Sequence, residues 1–271
     1  MIHLHRHGRV SSRLSQYCFA RVLASRFSYA LDAGPAVGFS GSRKRVDGEQ
    51  VIGPEVMWTG HWPMEAYSNR KLDSAELFQA PGAKVTLSGF FQRFEFIAGV
   101  RDEAREDWLK LDDPLPVRGD GDFLVCLRRE ENPQEARALG DPVTQPPVDY
   151  LTLQVEEIRG LVKTVRPREF HVVTEQAQHP AIGLLRDLHP IVHVERGMEA
   201  FRLIHSFQKV AIGQDALDWW AAFLGRAREI YFPKIERGPW SHPEPAALAH
   251  DPAHWGIDLR VTDDPRYVYD W

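Results

Sequence analysis

The sequence predicts an α/β protein of two domains, each a parallel sheet of the doubly wound kind with helices on its faces, and a cleft between them. Three observations carry this. Short β-branched runs alternate with amphipathic helical patterns over 169–233, a further strand-then-helix unit occupies 84–110, and 271 residues at 43% apolar content suffice for two cores.

The first strand is read at 1–7. It tips through Gly8 into a helix over 12–26, within the stretch GRVSSRLSQYCFARVLA (8–24), and a strand follows at 27–32. Residues 35–80 show no clear period. They hold Arg43, Lys44, Arg45, Trp58, His61, Trp62, Glu65 and Tyr67, a mixture of charge and aromatic surface that favours binding over disorder. Val85, Leu87 and Gly89 alternate as a strand over 84–90. Phe94, Ile97, Ala98, Ala104 and Trp108 then recur at helical spacing over 92–110. The proline- and aspartate-rich segment 112–119 marks the boundary, giving a first domain at 1–115 and a second at 116–271.

In the second domain a strand over 123–128 precedes a helix with Leu151, Val155, Ile158 and Val162 on one face and Asp149 as its N-cap. Strand 169–175, helix 180–188, strand 190–195, helix 197–207, strand 208–213, helix 215–225 and strand 228–233 complete it. Continuous β-branched strands between amphipathic helices are covered on both faces, which requires a parallel sheet with crossover connections. The halves are therefore Rossmann-like, and ligands are expected at the carboxyl ends of their strands.

A net charge of −5 and a pI near 6.2 leave no global basic field for nucleic acid or anionic lipid, so an anion site must be local. Cys18 and Cys126 read as buried free thiols in a reducing compartment. The start MIHLHRHGRVSS lacks a signal-peptide core, and no run approaches the ~18–20 apolar residues of a membrane span. The expected location is cytoplasmic, with peripheral attachment at an inner membrane left open.

Among candidate chemical groups, Arg128 and Arg129 close the strand 123–128, where a guanidinium can grip a diphosphate by paired charge-assisted bonds. A surface arginine pair closing a strand has the same sequence. The helix opening at Ala216 offers free amides to a phosphate, although Asp215 is the natural N-cap of that helix. His3, His5 and His7 share one strand face but lack a second ligand cluster, and satisfied or exposed histidines are the plainer reading. Asp120-Gly121-Asp122 reads as a turn, and His189 and His193 flank a strand rather than one helix face. Walker, GxGxxG, HExxH and GxSxG patterns are absent.

Five segments, in order across most of the chain, resemble the bacterial α-1,2-fucosyltransferases and their α-1,6 and protein O-fucosyltransferase relatives. Gly8 to Tyr17 align without a gap to Gly-Arg-Leu-Gly-Asn-Gln-Leu-Phe-Gln-Tyr, and SGFFQRFEFI (88–97) is similar to a Gly-Tyr-Phe-Gln segment. VCLRREE (125–131) resembles His-x-Arg-Arg-x-Asp, VVTEQ (172–176) stands where that family has Phe-Ser-Asp-Asp, and QDALDWWAAFLG (214–225) is similar to Asn-Ser-Thr-Phe-Ser-Trp-Trp-x-Ala-x-Leu. Cys126 replaces the motif histidine, Ser11, Ser12 and Arg13 replace Gly-Asn-Gln, and Asp215 and Ala216 replace Ser-Thr.

The resemblance implies a GT-B-like fold and an inverting, metal-independent transfer, with no cofactor, from GDP-fucose or a related GDP-sugar to a glycan hydroxyl. It implies that Arg128 binds the donor diphosphate with Arg129 in support, and that Glu175 or Gln176 reaches the base. Asp215 and Ala216 would approach the phosphates beside Cys126, while Gly8, Ser12 and Arg13 close on the donor. Glu131 and Glu65 are the candidate general bases, with His61 and Glu65 on the acceptor side. A different nucleotide-sugar donor and a non-catalytic binding descendant remain alternatives.

Overall fold

The computed structural model describes residues 1–6, 8–44, 46–48, 55–59, 84–88, 91–92, 94–127, 153–213, 215–233, 259, 261 and 263–269, with residues 55–59 and 95 described by their backbone only. These residues divide into two compact units, the first within Met1–Leu111 and the second from Asp112 onward. Both are α/β units on parallel sheets. Among the described residues no helix is long and apolar enough to cross a membrane.

In the first unit β1 (Ile2–Leu4), α1 (Val10–Phe27), β2 (Leu31–Asp32), β3 (Glu55–Thr59) and β4 (Lys84–Ser88) give a sheet of order β2-β1-β4-β3, every pair parallel. Ile2, Val85 and Leu87 are buried on it. Helix α1 is buried nearly all round: Leu14, Phe19 and Leu23 are covered, and so are Ser12, Ser15 and Gln16. Phe19 stacks on Phe91 at 4.5 Å between ring centroids.

Three expectations change here. Helix α1 runs on to Phe27, and Ser28 then takes a left-handed conformation (φ 55°), so the strand expected at 27–32 shrinks to Leu31–Asp32. The stretch 35–80 is not wholly irregular, because Glu55–Thr59 pairs with β4 in register. The helix expected at 92–110 is broken at Gly99 (φ 81°), a conformation that costs glycine little. A 3₁₀ turn at Phe94–Phe96 precedes it, and a helical turn at Arg101–Glu103 follows and widens into π-helix at Ala104–Trp108.

The second unit contains β5 (Asp122–Cys126), α2 (Val155–Val165), β6 (Glu169–Thr174), α3 (Pro180–Leu184), β7 (Ile191–Val194), α4 (Gly197–Ser206), β8 (Lys209–Ala211), α5 (Ala216–Leu224), β9 (Glu229–Tyr231) and β10 (Tyr267–Val268). Its strands are all parallel in the order β10-β9-β8-β5-β6-β7. Counted from β5, that is the 3-2-1-4-5-6 order of the doubly wound nucleotide folds. One face is sealed by Phe123, Val125, Phe170 and Val172 against Ile158 and Leu161 of α2 and Leu185 beyond α3. By strand alternation the other face carries Asp122, Leu124, Cys126, Glu169, His171 and Val173.

Helix α2 is capped by Gln154, whose side chain and that of Glu157 form a reciprocal capping box. The helix therefore begins at Val155, and Asp149 and Leu151 lie outside the described residues. The helix expected at 180–188 splits into α3 and a 3₁₀ turn at Arg186–Leu188, which ends on left-handed His189 (φ 52°). Strand β7 departs from the expectation of strands covered on both faces: Ile191, Val192 and Val194 are exposed. Helix α5 is the most deeply set, with Leu217 through Leu224 all buried.

Candidate functional site

In the second sheet the chain passes from β5 to β6 on one side and later returns to β8 on the other, so the direction of winding switches between β5 and β8. Crevices of this kind, at the carboxyl ends of strands, are where open α/β sheets bind ligands. Cys126 ends β5, buried, in register with Val173 of β6. Beyond β6 the Gln176 amide donates to Thr174 Oγ1 at 3.2 Å, and the Glu175 carbonyl accepts from Arg196 at 3.3 Å, fixing a turn at the strand end. Beyond β8, Asp215 Oδ1 accepts the amides of Leu217 (2.8 Å) and Asp218 (3.2 Å). The fold thus gathers Cys126, Glu175, Gln176, Asp215 and Ala216 on one sheet edge. Arg128, Arg129 and Glu131, next along the chain from β5, lie outside the described residues, as do His61 and Glu65.

Two of the amides that the sequence offered to a phosphate at the start of this helix, those of Leu217 and Asp218, are occupied by the Asp215 carboxylate, the N-cap reading of that residue. In the first unit the corresponding switch lies between β1 and β4. There the chain leaves β1 through Gly8 (φ 79°) into α1, whose N-cap Arg9 makes no side-chain capping bond and whose first turn has no carboxylate. Arg13 Nε donates to the Gly8 carbonyl at 2.9 Å, bracing the turn, and Gln92 Nε2 donates to Ser12 Oγ at 3.3 Å.

Close by, Arg6 donates to the carbonyls of Gly34 and Pro35, and its guanidinium lies 5.4 Å from the Tyr17 ring centroid. Burial lowers the pKa of Arg6 and raises that of Tyr17. A cavity of about 270 Å³ at the end of β2 is lined by Tyr17, Asp32, Arg43 and Lys44 among others. His3 pairs with Asp32 at 3.1 Å.

At the opposite, amino end of the second sheet a different group converges. Asp122 on β5 and Glu169 on β6 are register partners, and His171 lies two residues along the same face. One ligand atom from each of the three falls within 4.8 Å of the others. Asp122 is tied by Arg168 to Oδ1 (2.9 Å) and by the Gly119 amide to Oδ2 (3.1 Å). His171 shares a 3.0 Å hydrogen bond between its Nδ1 and His193 Nε2, while its Nε2 approaches Glu169 Oε2 at 3.4 Å without the alignment of a hydrogen bond. Phe207 meets the His171 ring edge-on at 5.0 Å, and the Arg118 guanidinium lies over Phe207. Burial lowers the pKa of both histidines: Asp122 and Glu169 oppose that shift at His171, whereas His171 and Arg118 add to it at His193.

This cluster corrects the expectation of a protein without a metal: two carboxylates and an imidazole in ligand-like geometry form a possible metal-binding site. Sequence reasoning missed it because its members come from separate strands. Asp122 is indeed in a turn, its amide bonded to Gly119 O at 3.0 Å, yet the same side chain reaches the cluster. The available signal was Glu169-x-His171, two ligands on one face of a strand. No protein-family model, curated protein or solved structure matches the chain.

Proposed function

We propose that the chain is a GT-B-like glycosyltransferase that takes a sugar from a nucleotide diphosphate donor, GDP-fucose or a related GDP-sugar, and passes it to a glycan hydroxyl with inversion. The observation that carries the reading is the switch point between β5 and β8 in a 3-2-1-4-5-6 sheet. The segments with the fucosyltransferase-like motifs, Cys126, Glu175–Gln176 and Asp215–Ala216, meet on that edge, and Arg128 is two residues beyond the end of β5 in the sequence. In the reaction the acceptor oxygen attacks the anomeric carbon as the bond to the diphosphate breaks. Arg128, supported by Arg129, takes up charge on the departing diphosphate, and Glu131 or Glu65 receives the acceptor proton. His61 and Glu65 stand on the acceptor side.

A second reading, a glycan- or nucleotide-binding scaffold without turnover, is favoured by one observation. The Asp215 carboxylate holds two of the first amides of α5, and a carboxylate ~4 Å from a diphosphate costs about 1–4 kcal/mol between water and protein-surface dielectrics. Titration calorimetry with GDP, UDP, dTDP and CMP, followed by a donor-hydrolysis assay, separates the two. GDP binding and turnover that Arg128→Ala abolishes support the transferase. Glycan binding with no nucleotide bound at millimolar concentration establishes the scaffold instead, and preference for another nucleotide reassigns the donor.

A further inference from the structure

We propose that Asp122, Glu169 and His171 bind one divalent ion of the zinc class at the amino end of the second sheet, and that this ion clamps β5 to β6. The His171 side chain is 2% exposed, and its Nε2, 3.4 Å from Glu169 Oε2, makes no well-aligned hydrogen bond. Its other nitrogen is spoken for. In the tautomer whose Nδ1–H donates to His193 Nε2, the Nε2 lone pair and the carboxylate oxygens are all acceptors, an arrangement that a bound cation satisfies. A metal-bound histidine is ordinarily oriented in this way, by a hydrogen bond from its second nitrogen.

The donor set points to the ion's class, and one ligand spacing is compatible with it. Two ligands about 2.1 Å from a tetrahedral ion stand about 3.4 Å apart. His171 Nε2 and Glu169 Oε2 are 3.4 Å apart. One imidazole with two carboxylates suits zinc and its neighbours better than magnesium or calcium, which take oxygen alone. Water completes the four positions.

Arg168 presently neutralises Asp122, but its side chain is 70% exposed and can swing into solvent as the ion enters. Gly119 and Gly121 bring the turn close against it: a Cβ on Gly121 would stand 3.0 Å from Arg168 Cβ. Because the cluster occupies the edge opposite the ligand crevice of a doubly wound sheet, the ion's role is structural.

The test is titration of the chelator-treated full-length chain with Zn²⁺, read by calorimetry and by thermal unfolding. One ion per chain should bind and raise the unfolding temperature. Glu169→Gln, at a half-exposed position that leaves the core intact, and His171→Asn should each weaken binding at least about tenfold. His193→Ala should weaken it by about tenfold through loss of orientation. Arg168→Ala should tighten it. Zinc affinity unchanged in Glu169→Gln, no binding at micromolar zinc, or binding lost instead in a His3→Asn/His5→Asn variant would overturn the assignment.

Discussion

Helix α1 follows β1 through Gly8 and starts on Arg9, with no side-chain cap and no carboxylate in its first turn. Helix α5 follows β8 and starts on Asp215, whose carboxylate holds two of its first amides. Both helices open at the switch point of a parallel sheet, so topology gives each the same positive dipole end. One side chain decides what that end can do. A switch point at the carboxyl ends of the strands is inherited from strand order, whereas the room it leaves for an anion is set locally, by whether a capping carboxylate is already present.

The most disruptive way to break the comparison is to remove what seats α5. Trp219 is fully buried, stacked on Phe223 at 4.6 Å and edge-on to Trp220 at 5.2 Å. Trp219→Ala should cost about 3–5 kcal/mol in urea unfolding. An unchanged midpoint would mean that α5 is not part of the core.

Next in size is the basic turn of α1. Arg13→Ala removes both a positive charge and the brace on Gly8, and calorimetry with pyrophosphate or GDP should show affinity falling about tenfold or more, as expected for a bond to a charged group. Equal affinity would place the anion elsewhere.

The α5 cap sharpens the contrast through a pair of variants. Asp215→Ala should lose about 1 kcal/mol of stability, while Asp215→Asn, an equally good cap, should lose little. Asparagine keeps the shape and one acceptor oxygen of aspartate without its charge, so tighter GDP binding by Asp215→Asn would show that the carboxylate disfavours the diphosphate. No change would detach α5 from the anion.

The smallest effect concerns Cys18 within α1, whose thiol pKa is pushed up by burial. The unfolded thiol ionises near its ordinary value of about 8.5 while the folded one stays neutral. Stability from this group is thus complete below that pH and declines as pH rises beyond it. Alkaline unfolding titrations should show a shallower decline in Cys18→Ala, and a disulfide reagent should leave the native thiol unmodified at pH 8.

Strands β5 to β9 of the second unit were legible within a residue or two, and the buried ones are written as uninterrupted apolar runs, as in FLVC at 123–126 and VAI at 210–212, whereas the two-residue β10 carried no such pattern and was not expected. Strand β3 was hidden: its five residues lie inside a long stretch without period, and only pairing with β4 defines it. The break at Gly99 was hidden too, since Phe94, Ile97 and Ala104 keep helical spacing across it. At the ligand edge, the order of the elements was enough to bring Cys126, Glu175 and Asp215 together. At the amino edge, Asp122, His171 and His193 belong to three strands whose register no local pattern encodes.

The left-handed residues Ser28, Arg166 and His189 each terminate a helix or helical turn where a side chain is sterically disfavoured. Glycine at each would relieve about 1 kcal/mol. The three sites are well separated in sequence and belong to different helical ends, so their gains should sum. Replacing them together would give a hardier background that tolerates damaging substitutions at either switch point.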